Sequence, residues 1–370
     1  MKESKARVIA FYLPQYHPIP ENDKYWGKGF TEWTNVAKAK PLFRGHYQPH
    51  IPADLGFYDL RLPEVREAQA ELARDAGIEG FCYYHYWFGN GKMLLQKPFE
   101  EVLRLGKPDF PFCLCWANHD WTTKTWVKGS SMVNNTMIAQ QEYLGEQDDI
   151  KHFEYCLRAF KDHRYITIEG KPIFLIYDPL SFPNVKEFMN RWNFLAKKNN
   201  LKGIYFIGVT TGRQSSYKIV TNLGFDGVCH NRRWEAEAKA AGFRFVRRMQ
   251  SLLGWHLGIS LMKYDYNKVV RNYDTPENKL ENCYPVITPG FDRTPRAGRR
   301  AGIYVNSSPK NFKKHVAEVC KSIQDKDDDH RLVFLSAWNE WGEGNYMEPD
   351  LKWGHGYLEA LKSVVKFQIK

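Results

Sequence analysis

Two glutamates, Glu340 and Glu343, have the residue type and the spacing for acid–base chemistry. They lie three residues apart in the segment S-A-W-N-E-W-G-E-G-N-Y-M-E-P, residues 336–349, directly after an apolar run. On a helical turn this spacing places the two Cβ atoms about 5–6 Å apart. At such a separation one carboxyl group can donate a proton to a glycosidic oxygen while its partner assists at the sugar. The alternative is an ordinary exposed pair at the start of a helix, but the flanking Trp338, Trp341 and two glycines favour the catalytic interpretation.

Aromatic residues are the second chemical signal. The chain contains 12 Trp, 21 Tyr and 23 Phe, which is more Trp than a core requires. Trp and Tyr combine a flat apolar face with a polar edge, and this combination suits the binding of sugars. Three Trp occur in C-W-A-N-H-D-W-T-T-K-T-W, residues 115–126, and we predict that Trp116 and Trp126 stack on sugar rings. Packing of the loop itself is the alternative.

A glutamate also lies beside a tryptophan in the loop G-F-T-E-W-T-N-V, residues 29–36. Glu32 and Trp33 are therefore candidates to cover the site. The alternative is structural, with a glutamate that stabilises the loop and a tryptophan that packs against it.

A histidine lies among aromatic residues in Y-Y-H-Y-W-F, residues 83–88. Alternation along a strand sends His85 and Trp87 to one face and Tyr86 to the other. A single histidine on a strand is often structural, but this one lies at the end where a barrel enzyme binds its substrate. We predict that Trp87 lines the substrate groove together with the tryptophans of the following loop.

Eight apolar runs alternate with helix-like segments along the chain. The runs are 8–13, 80–88, 110–119, 171–178, 204–210, 224–231, 284–292 and 331–344. The alternation predicts an α/β fold, and eight units predict a (β/α)8 TIM barrel with long loops after strands 1 and 6. An open doubly wound sheet is the alternative, but no run is followed by G-x-G-x-x-G or a P-loop. Since no linker or repeat is visible, we expect residues 1–370 to form a single catalytic domain.

The active site of such a barrel lies at the C-terminal ends of its strands. Polar and aromatic residues gather at the predicted ends, where an apolar core would not require them. The predicted catalytic residues are Glu340 and Glu343. The predicted substrate-binding residues are Tyr16, His17, Glu32, Trp33, His85, Tyr86, Trp87, Trp116, Asn118, Trp126, Asp292, Trp338 and Asn339.

The sequence indicates neither a metal site nor a cofactor. Cys113 and Cys115 share a strand face, but the chain has no C-x-x-C pair and no H-E-x-x-H motif. A G-x-S-x-G motif is also absent, which argues against acyl-hydrolase chemistry. We therefore predict an enzyme that needs no metal and no cofactor.

Positive charge is concentrated in one part of the chain. The net charge is +11, and residues 232–300 contain 14 Lys and Arg against 7 Asp and Glu. No helix-turn-helix, zinc-finger or RRM signature accompanies this charge, so we do not expect nucleic acid binding. A solvated basic face is one explanation. An anionic polysaccharide, a lipid-linked sugar or peripheral contact with a membrane surface is the alternative.

The cysteines and the first residues bear on the compartment. Seven Cys leave at least one thiol free, and most lie in or beside apolar runs, where Cys behaves as a small apolar residue. The N-terminal segment has no signal-peptide core, and no apolar stretch approaches the length of a membrane span. We expect a cytoplasmic protein without a transmembrane segment.

Four segments together resemble the WbsX family, often described as glycosyltransferases of polysaccharide gene clusters. They are A-F-Y-L-P-Q-Y-H-P-I-P-E-N-D-x-x-W-G-K-G-F-T-E-W-T-N-V, F-C-Y-Y-H-Y-W-F, C-L-C-W-A-N-H-D-W-T and A-W-N-E-W-G-E-G. The same segments resemble glycoside hydrolase family 99, the endo-acting α-mannosidases and mannanases. The resemblance covers roughly residues 7–365 and implies a (β/α)8 barrel.

The resemblance also implies roles for the two glutamates. Glu340 would deprotonate the sugar 2-hydroxyl, which would attack the anomeric carbon and give a 1,2-anhydro sugar. Glu343 would protonate the leaving oxygen and later activate water, so that the stereochemistry is retained. This sequence has Gly342 where those hydrolases have His.

Two functions compete at this point. One is a retaining endo-glycosidase that acts on a bacterial polysaccharide, mannan-like or a related surface polysaccharide, and the paired glutamates favour it. The other is a glycosyltransferase of O-antigen or capsular polysaccharide biosynthesis, favoured by the family description and by the expected cytoplasmic location. A metal-dependent nucleotide-sugar transferase would need a D-x-D motif after an apolar strand, whereas Asp327, Asp328 and Asp329 lie in a polar loop before strand 8. The intact glutamate pair argues against an inactive sugar-binding module.

Overall fold

A computed structural model of the chain describes residues 6–123, 136–212, 214–241, 249 and 262–365. Within these residues eight parallel strands form a closed barrel. The strands are β1 (Arg7–Tyr12), β2 (Gly80–Trp87), β3 (Phe112–Trp116), β4 (Lys171–Ile176), β5 (Tyr205–Val209), β6 (Gly227–His230), β7 (Cys283–Ile287) and β8 (Leu332–Leu335). Each strand pairs with the next along the chain, and β8 pairs with β1, which closes the sheet. The predicted (β/α)8 barrel is confirmed.

Helices cover the outside of the barrel and occupy its loops. The described helices are α1 (Pro20–Trp26), α2 (Glu32–Lys38), α3 (Pro63–Asp75), α4 (Lys97–Leu105), α5 (Glu146–Phe160), α6 (Val185–Lys198), α7 (Tyr217–Asn222), α8 (Arg233–Ala240), α9 (Tyr266–Val270), α10 (Thr294–Ala297), α11 (Pro309–Ser322) and α12 (Gly356–Val365). All of these helices are too short or too polar to cross a lipid bilayer.

Local sequence determines where several helices begin and end. α11 begins at Pro309, whose fixed φ suits the first turn, and Ser308 Oγ accepts the backbone N–H of Asn311 at 3.3 Å. α3 likewise begins at a proline. It ends just before Gly77, whose φ of +87° is readily adopted by glycine.

The barrel strands are buried on both faces, because helices cover one face and the interior of the barrel fills the other. On β2 the outward face carries His85 and Trp87, and the Trp87 ring stacks on His152 of α5 at 4.6 Å. The inward face carries Tyr84 and Tyr86. Tyr84 stacks on Phe11 of β1 at 5.4 Å.

All seven cysteines are buried free thiols. Cys82 of β2 lies opposite Cys113 of β3 in the strand register, on the inward face. Their small side chains leave room inside the barrel for the tyrosines of the layer above.

Two long loops extend from the C-terminal end of the barrel, as predicted. The first follows β1 and carries α1 and α2 before α3 begins. The second follows β6 and contains α8, α9 and a short strand, Met262–Asp265, that pairs with Gly302–Val305. Part of this second, basic segment lies outside the described residues.

Candidate active site

The two predicted catalytic glutamates lie on a short hairpin directly after β8. Asn339–Glu340 pairs antiparallel with Asn345–Tyr346, and the intervening Trp341–Glu343 forms one 3-10 turn. We call residues 339–346 the catalytic hairpin. Tyr16, from the loop after β1, fixes it by donating to the carbonyl of Asn339 at 2.5 Å and accepting the N–H of Trp341 at 3.1 Å.

A buried carboxylate supports the hairpin from below. The oxygens of Glu348 accept hydrogen bonds from Trp338 Nε1 at 3.0 Å and from Trp341 Nε1 at 2.5 Å. Two further donors, Gln69 Nε2 at 2.6 Å and Tyr58 Oη at 2.8 Å, complete its hydrogen bonds. Both indole rings are thereby held in one orientation beneath the glutamate pair.

One arginine joins three carboxylates above the hairpin. Arg296 comes from α10, the short helix after β7. Its Nη2 lies 2.9 Å from Glu340 Oε2, its Nη1 2.7 Å from Glu343 Oε1, and its Nε 2.9 Å from Glu32 Oε2. The side chains of Glu340 and Glu343 are 14% and 17% exposed, whereas Glu32 is fully buried. The pair is therefore accessible to a ligand, and Glu32 and Arg296 form its inner wall.

Gly342 makes this arrangement possible. A Cβ at this position would lie 2.1 Å from Glu32 Oε2 and 2.9 Å from Arg296 Nε. Both distances are shorter than real Cβ contacts allow, so any side chain would displace the ion pair. The space beside Gly342 is thus filled by the Glu32–Arg296 ion pair.

Two more arginines approach Glu343 from the loops after β6 and β7. Arg293 Nε lies 3.3 Å from Glu343 Oε1, and Arg233 Nη1 lies 3.9 Å from Glu343 Oε2. The loop of Arg293 is tied to the catalytic hairpin, because the N–H of Asp292 donates to the carbonyl of Glu343 at 2.6 Å. Three guanidinium groups consequently surround one carboxylate.

The surroundings separate the pKa values of the two glutamates. Burial raises the pKa of Glu340 to about 7 despite Arg296, and the nearby charge of Glu343 adds to the increase. Burial acts in the same direction on Glu343, but Arg296, Arg293 and Arg233 outweigh it and lower the pKa of that carboxyl. At neutral pH Glu343 is therefore ionised, whereas a large fraction of Glu340 is protonated.

Tyrosines form another wall of the site. Burial raises the pKa of Tyr84 well above its usual value and raises the pKa of Tyr177 to about 12, and the charge of Glu340 adds to both increases. The two rings meet edge to face at 5.9 Å. Tyr86 lies on the same face of β2, and its hydroxyl accepts Gln15 Nε2 at 3.3 Å. The interior end of the site is therefore aromatic, with neutral hydroxyl groups.

A cavity of about 310 Å³ lies beside the catalytic hairpin, on the C-terminal side of the barrel. Its volume is at the lower end of the range for small-molecule sites. It is lined by residues of the loops after β1, β7 and β8, among them Tyr47, Asp292, Asn306, Tyr346 and Trp353. Asp292 accepts hydrogen bonds from His46 Nε2 and Gln48 Nε2, both at 2.7 Å. These bonds also hold the loop after β1 in place.

Comparison with known proteins identifies the family. Residues 8–361 match the family model described as Glycosyltransferase WbsX. The chain belongs to the WbsX family. The protein WxcX of Xanthomonas campestris pv. campestris, in strain B100 and in strain ATCC 33913, is 34% identical over 361 residues, which are 97% of this chain and 50% of WxcX. The chain thus spans about half the length of these curated relatives.

Two solved structures that superpose on this chain are described as a glycoside hydrolase and a glycoside hydrolase-like protein. The family 99 endo-α-mannosidase from Bacteroides thetaiotaomicron superposes with a TM-score of 0.55 over 97% of this chain and 96% of that one, at 16% identity. A glycoside hydrolase-like protein gives 0.60 over 99% and 95%, also at 16% identity. At this identity the likeness establishes the barrel fold of the WbsX family member.

Three predicted substrate residues of this WbsX protein lie on the wrong face for that role. His85, Trp87 and Trp116 point outward from β2 and β3, between the strands and the helices. Trp116 packs against Phe188 of α6 and donates through Nε1 to the carbonyl of Trp87 at 2.9 Å. Both tryptophans are only 3% exposed. The prediction that they line the groove is wrong, because strand alternation places the tyrosines inside the barrel.

Three other predicted binding residues are structural. Asn339 is fully buried, and its amide accepts the N–H of Leu13 at 2.8 Å and donates to the Leu13 carbonyl at 3.0 Å. Trp338 is equally buried. Asn118 accepts the N–H of Asp178 and donates to its carbonyl, both at 2.8 Å, which joins the loops after β3 and β4. Their burial prevents contact with a substrate.

The remaining predicted residues have mixed outcomes. Tyr16, Glu32 and Tyr86 belong to the walls around the glutamate pair, and Trp33 packs on Trp341 at 5.6 Å. His17 is buried, which lowers its pKa to about 4, so it is neutral. Trp126 lies outside the described residues.

One group of side chains in the described part of the chain has the composition of a metal site. Ligand atoms of His85, His152 and Cys156 lie within 4.8 Å of one another, and all three residues are buried. The two histidines approach Nε2 to Nε2 at 2.8 Å, which is a hydrogen-bond distance. Burial lowers the pKa of His85 to about 3, so both rings remain neutral. The group joins β2 to α5 and lies outside the barrel interior.

Sequence reasoning missed Arg296, Arg233 and two tyrosines, Tyr84 and Tyr177. Tyr84 carried a usable signal, because alternation along the strand from His85 places it on the opposite face. Arg296 carried a weaker one, since it follows the seventh apolar run by only a few residues.

Proposed function

We propose that this WbsX protein is a retaining glycoside-processing enzyme in which Glu340 and Glu343 are the acid–base pair. The observation that carries the proposal is the placement of the two carboxyl groups. They lie on one hairpin at the C-terminal end of β8, share Arg296, are partly exposed and have pKa values shifted in opposite directions. Such a pair can provide a proton donor and a proton acceptor at the same pH.

The first step breaks the bond between the anomeric carbon and the leaving oxygen. One glutamate accepts the proton of the sugar 2-hydroxyl, whose oxygen bonds to the anomeric carbon as the leaving oxygen departs. The other glutamate donates its proton to that oxygen. Water then opens the 1,2-anhydro ring, one carboxylate removes the water proton, and the 2-oxygen recovers its own. Two inversions at the anomeric carbon give overall retention.

The roles within the pair can be assigned in two orders. Resemblance to family 99 implies that Glu340 is the base and Glu343 the acid. The charges around the site favour the reverse order, because three arginines stabilise the anion of Glu343 while burial favours the protonated form of Glu340. A leaving group that needs no proton distinguishes the two orders, since only the variant that lacks the acid regains turnover with it.

A bacterial polysaccharide is the proposed substrate. The WbsX family description, the barrel shared with a family 99 endo-α-mannosidase and the aromatic walls of the site all support a carbohydrate. We propose endo-hydrolysis of a mannan-like or related surface polysaccharide, in the cytoplasm.

Glycosyl transfer in O-antigen or capsule synthesis is the second candidate. The description of the matching family model as a glycosyltransferase favours it. The same glutamate pair would then deliver the sugar to an acceptor hydroxyl rather than to water. Product analysis with the polysaccharide of the host's own gene cluster, with and without a nucleotide-sugar donor, separates the two reactions.

The glutamate pair is tested by Glu340→Gln and Glu343→Gln. Each change should reduce turnover by at least about 10²-fold, the scale of general acid–base catalysis, while the fold persists. Their effects should not add, because both residues act in one step. Glu359→Gln, an exposed change on α12, is the matched control and should leave turnover unchanged. Turnover close to wild type in either catalytic variant would refute the mechanism.

A further inference from the structure

We propose that Arg233 and Arg293 form a subsite for an anionic group of the substrate, a carboxylate or a phosphate, next to the bond that reacts. The proposal rests on the proposed glycoside chemistry at Glu340 and Glu343 and specifies the class of substrate. The carboxylate of Glu343 lies within 4 Å of both guanidinium groups, which places the subsite at the reacting end of the pair.

Arg293 has hydrogen-bonding capacity that the described residues do not use. Its Nε lies 3.3 Å from Glu343 Oε1 without hydrogen-bond geometry, and this buried atom has no hydrogen-bond partner in the described part of the chain. The side chain as a whole is 35% exposed. A buried N–H without a partner is costly, so a ligand oxygen that accepted it would be stabilised.

Among the described residues, aromatic rings rather than hydrogen bonds hold the guanidinium of Arg233 in place. Its guanidinium lies over Phe291 at 4.6 Å and over Trp234 at 4.9 Å. Its nearest carboxylate oxygens, on Glu237 and Glu343, are 3.8 and 3.9 Å away, beyond hydrogen-bond distance. Stacking fixes the plane of a guanidinium and leaves the N–H groups at its edge free to bind.

Glu343 does not require these two arginines as hydrogen-bond donors. Arg296 Nη1 already donates to it at 2.7 Å, and the other nitrogens of Arg296 serve Glu32 and Glu340. A planar guanidinium matches a carboxylate or phosphate with two parallel hydrogen bonds. An oxyanion on the sugar or on the leaving group would accept hydrogen bonds from Arg233 and Arg293 while the glycosidic oxygen faces Glu343.

Ligand-observed NMR with small probes tests the subsite without turnover. Glucuronate, inorganic phosphate and UDP represent the acidic sugar, the bare phosphate and a nucleotide leaving group, and glucose is the neutral reference. We expect at least one oxyanion to bind more tightly than glucose. Arg233→Gln and Arg293→Gln should each raise its Kd at least tenfold.

Arg299→Gln is the matched control, because it removes the same charge from an exposed position six residues from Arg293. It should leave the Kd unchanged. Thermal unfolding verifies that each variant is folded, and Arg293→Lys, which keeps the charge but loses the planar fork, should bind with intermediate affinity.

The probes separate the two sources of the anion. Preference for glucuronate supports an acidic polysaccharide, whereas preference for phosphate or UDP supports a phosphorylated leaving group. The subsite is refuted if wild type binds all three oxyanions no better than glucose, or if Arg299→Gln weakens binding as much as the other two changes do. Because the measurement needs no catalysis, it remains valid even if the glutamate variants refute the mechanism.

Discussion

Arg296 donates a hydrogen bond to each of three carboxylates, those of Glu32, Glu340 and Glu343. Its side chain is 7% exposed, so these charges interact in a medium that screens them poorly. Loss of one partner from a buried ionic group commonly costs about 3–5 kcal/mol, because the remaining charges lose their compensation. The arginine therefore stabilises the hairpin and sets the protonation of the pair at the same time.

The shifted pKa values predict a bell-shaped dependence of kcat/KM on pH. In the proposed mechanism, turnover needs one glutamate protonated and the other ionised. The proton of Glu340 is lost as the pH rises through about 7, which gives the alkaline limb. Glu343, whose pKa is lowered, becomes protonated only in acid and gives the other limb. Initial rates across the pH range measure the profile, and rates that remain constant well above pH 7 would contradict it.

At the residue scale the sequence predicted the glutamate pair but not the charges around it. Glu340 and Glu343 are three residues apart, and their spacing and aromatic neighbours are visible in the chain. Arg296 and Glu32 are 264 residues apart and meet only because two loops converge. A long side chain that reaches across loops leaves no periodic signal, so this contact required the structure.

The catalytic hairpin as an element depends on Glu348. Glu348→Gln replaces one acceptor oxygen by an amide that donates, so an indole N–H of Trp338 or Trp341 would lose its partner. We expect a loss of about 1–3 kcal/mol in the free energy of unfolding, together with lower turnover. Chemical denaturation measures the loss. Glu359→Gln serves as control, and equal stability of the two variants would show that Glu348 does not hold the hairpin.

The layer between β3 and its helices depends on Trp116. Trp116→Ala should reduce the free energy of unfolding by about 3–5 kcal/mol, because it leaves a cavity among aromatic rings. Below the unfolding transition its affinity for oligosaccharide should equal that of wild type. Phe194→Ala, a change at a side chain that is 61% exposed on α6, should alter stability little. Weaker sugar binding by a folded Trp116→Ala variant would contradict this prediction and would indicate that Trp116 lines the substrate groove.

At the element scale the runs of apolar residues predicted all eight strands, but not which face of each strand looks inward. Strands of a covered parallel barrel are buried on both sides, so polarity does not alternate along them. His85 and Tyr86 were both predicted to bind substrate, although neighbours on a strand face opposite ways. Only the contacts of β2 with α5 decide that His85 faces the helices.

The whole molecule brings loops that are distant in sequence to one end of the barrel. Loops after β1, β6, β7 and β8 each supply a charged residue to the site, namely Glu32, Arg233, Arg296 and Glu343. The number and alternation of the apolar runs were sufficient to predict closure of the barrel. Part of the basic charge noted in the sequence lies at the candidate active site.

At the scale of the whole protein we predict independence from metal ions. EDTA should change neither turnover nor the thermal unfolding midpoint, because the glutamate pair would provide both acid and base in the proposed mechanism, and His85 and His152 are joined by their own hydrogen bond. Turnover tests for a catalytic metal, and the unfolding midpoint tests for a structural metal. Activity lost in EDTA and restored by Mg²⁺ or Mn²⁺ would favour the transferase, and a lowered midpoint would identify the histidine group as a metal site.

Gly342 has a consequence for how the family can evolve. A side chain at this position and the ion pair of Glu32 with Arg296 cannot occupy the same space, so a mutation at any one of the three sites alone meets a steric or electrostatic barrier. The three positions should therefore be inherited as a set. A homologue with a larger residue in place of Gly342 should have exchanged Glu32 or Arg296 as well, and the residue at this one position should divide the family into two lineages with differently charged sites.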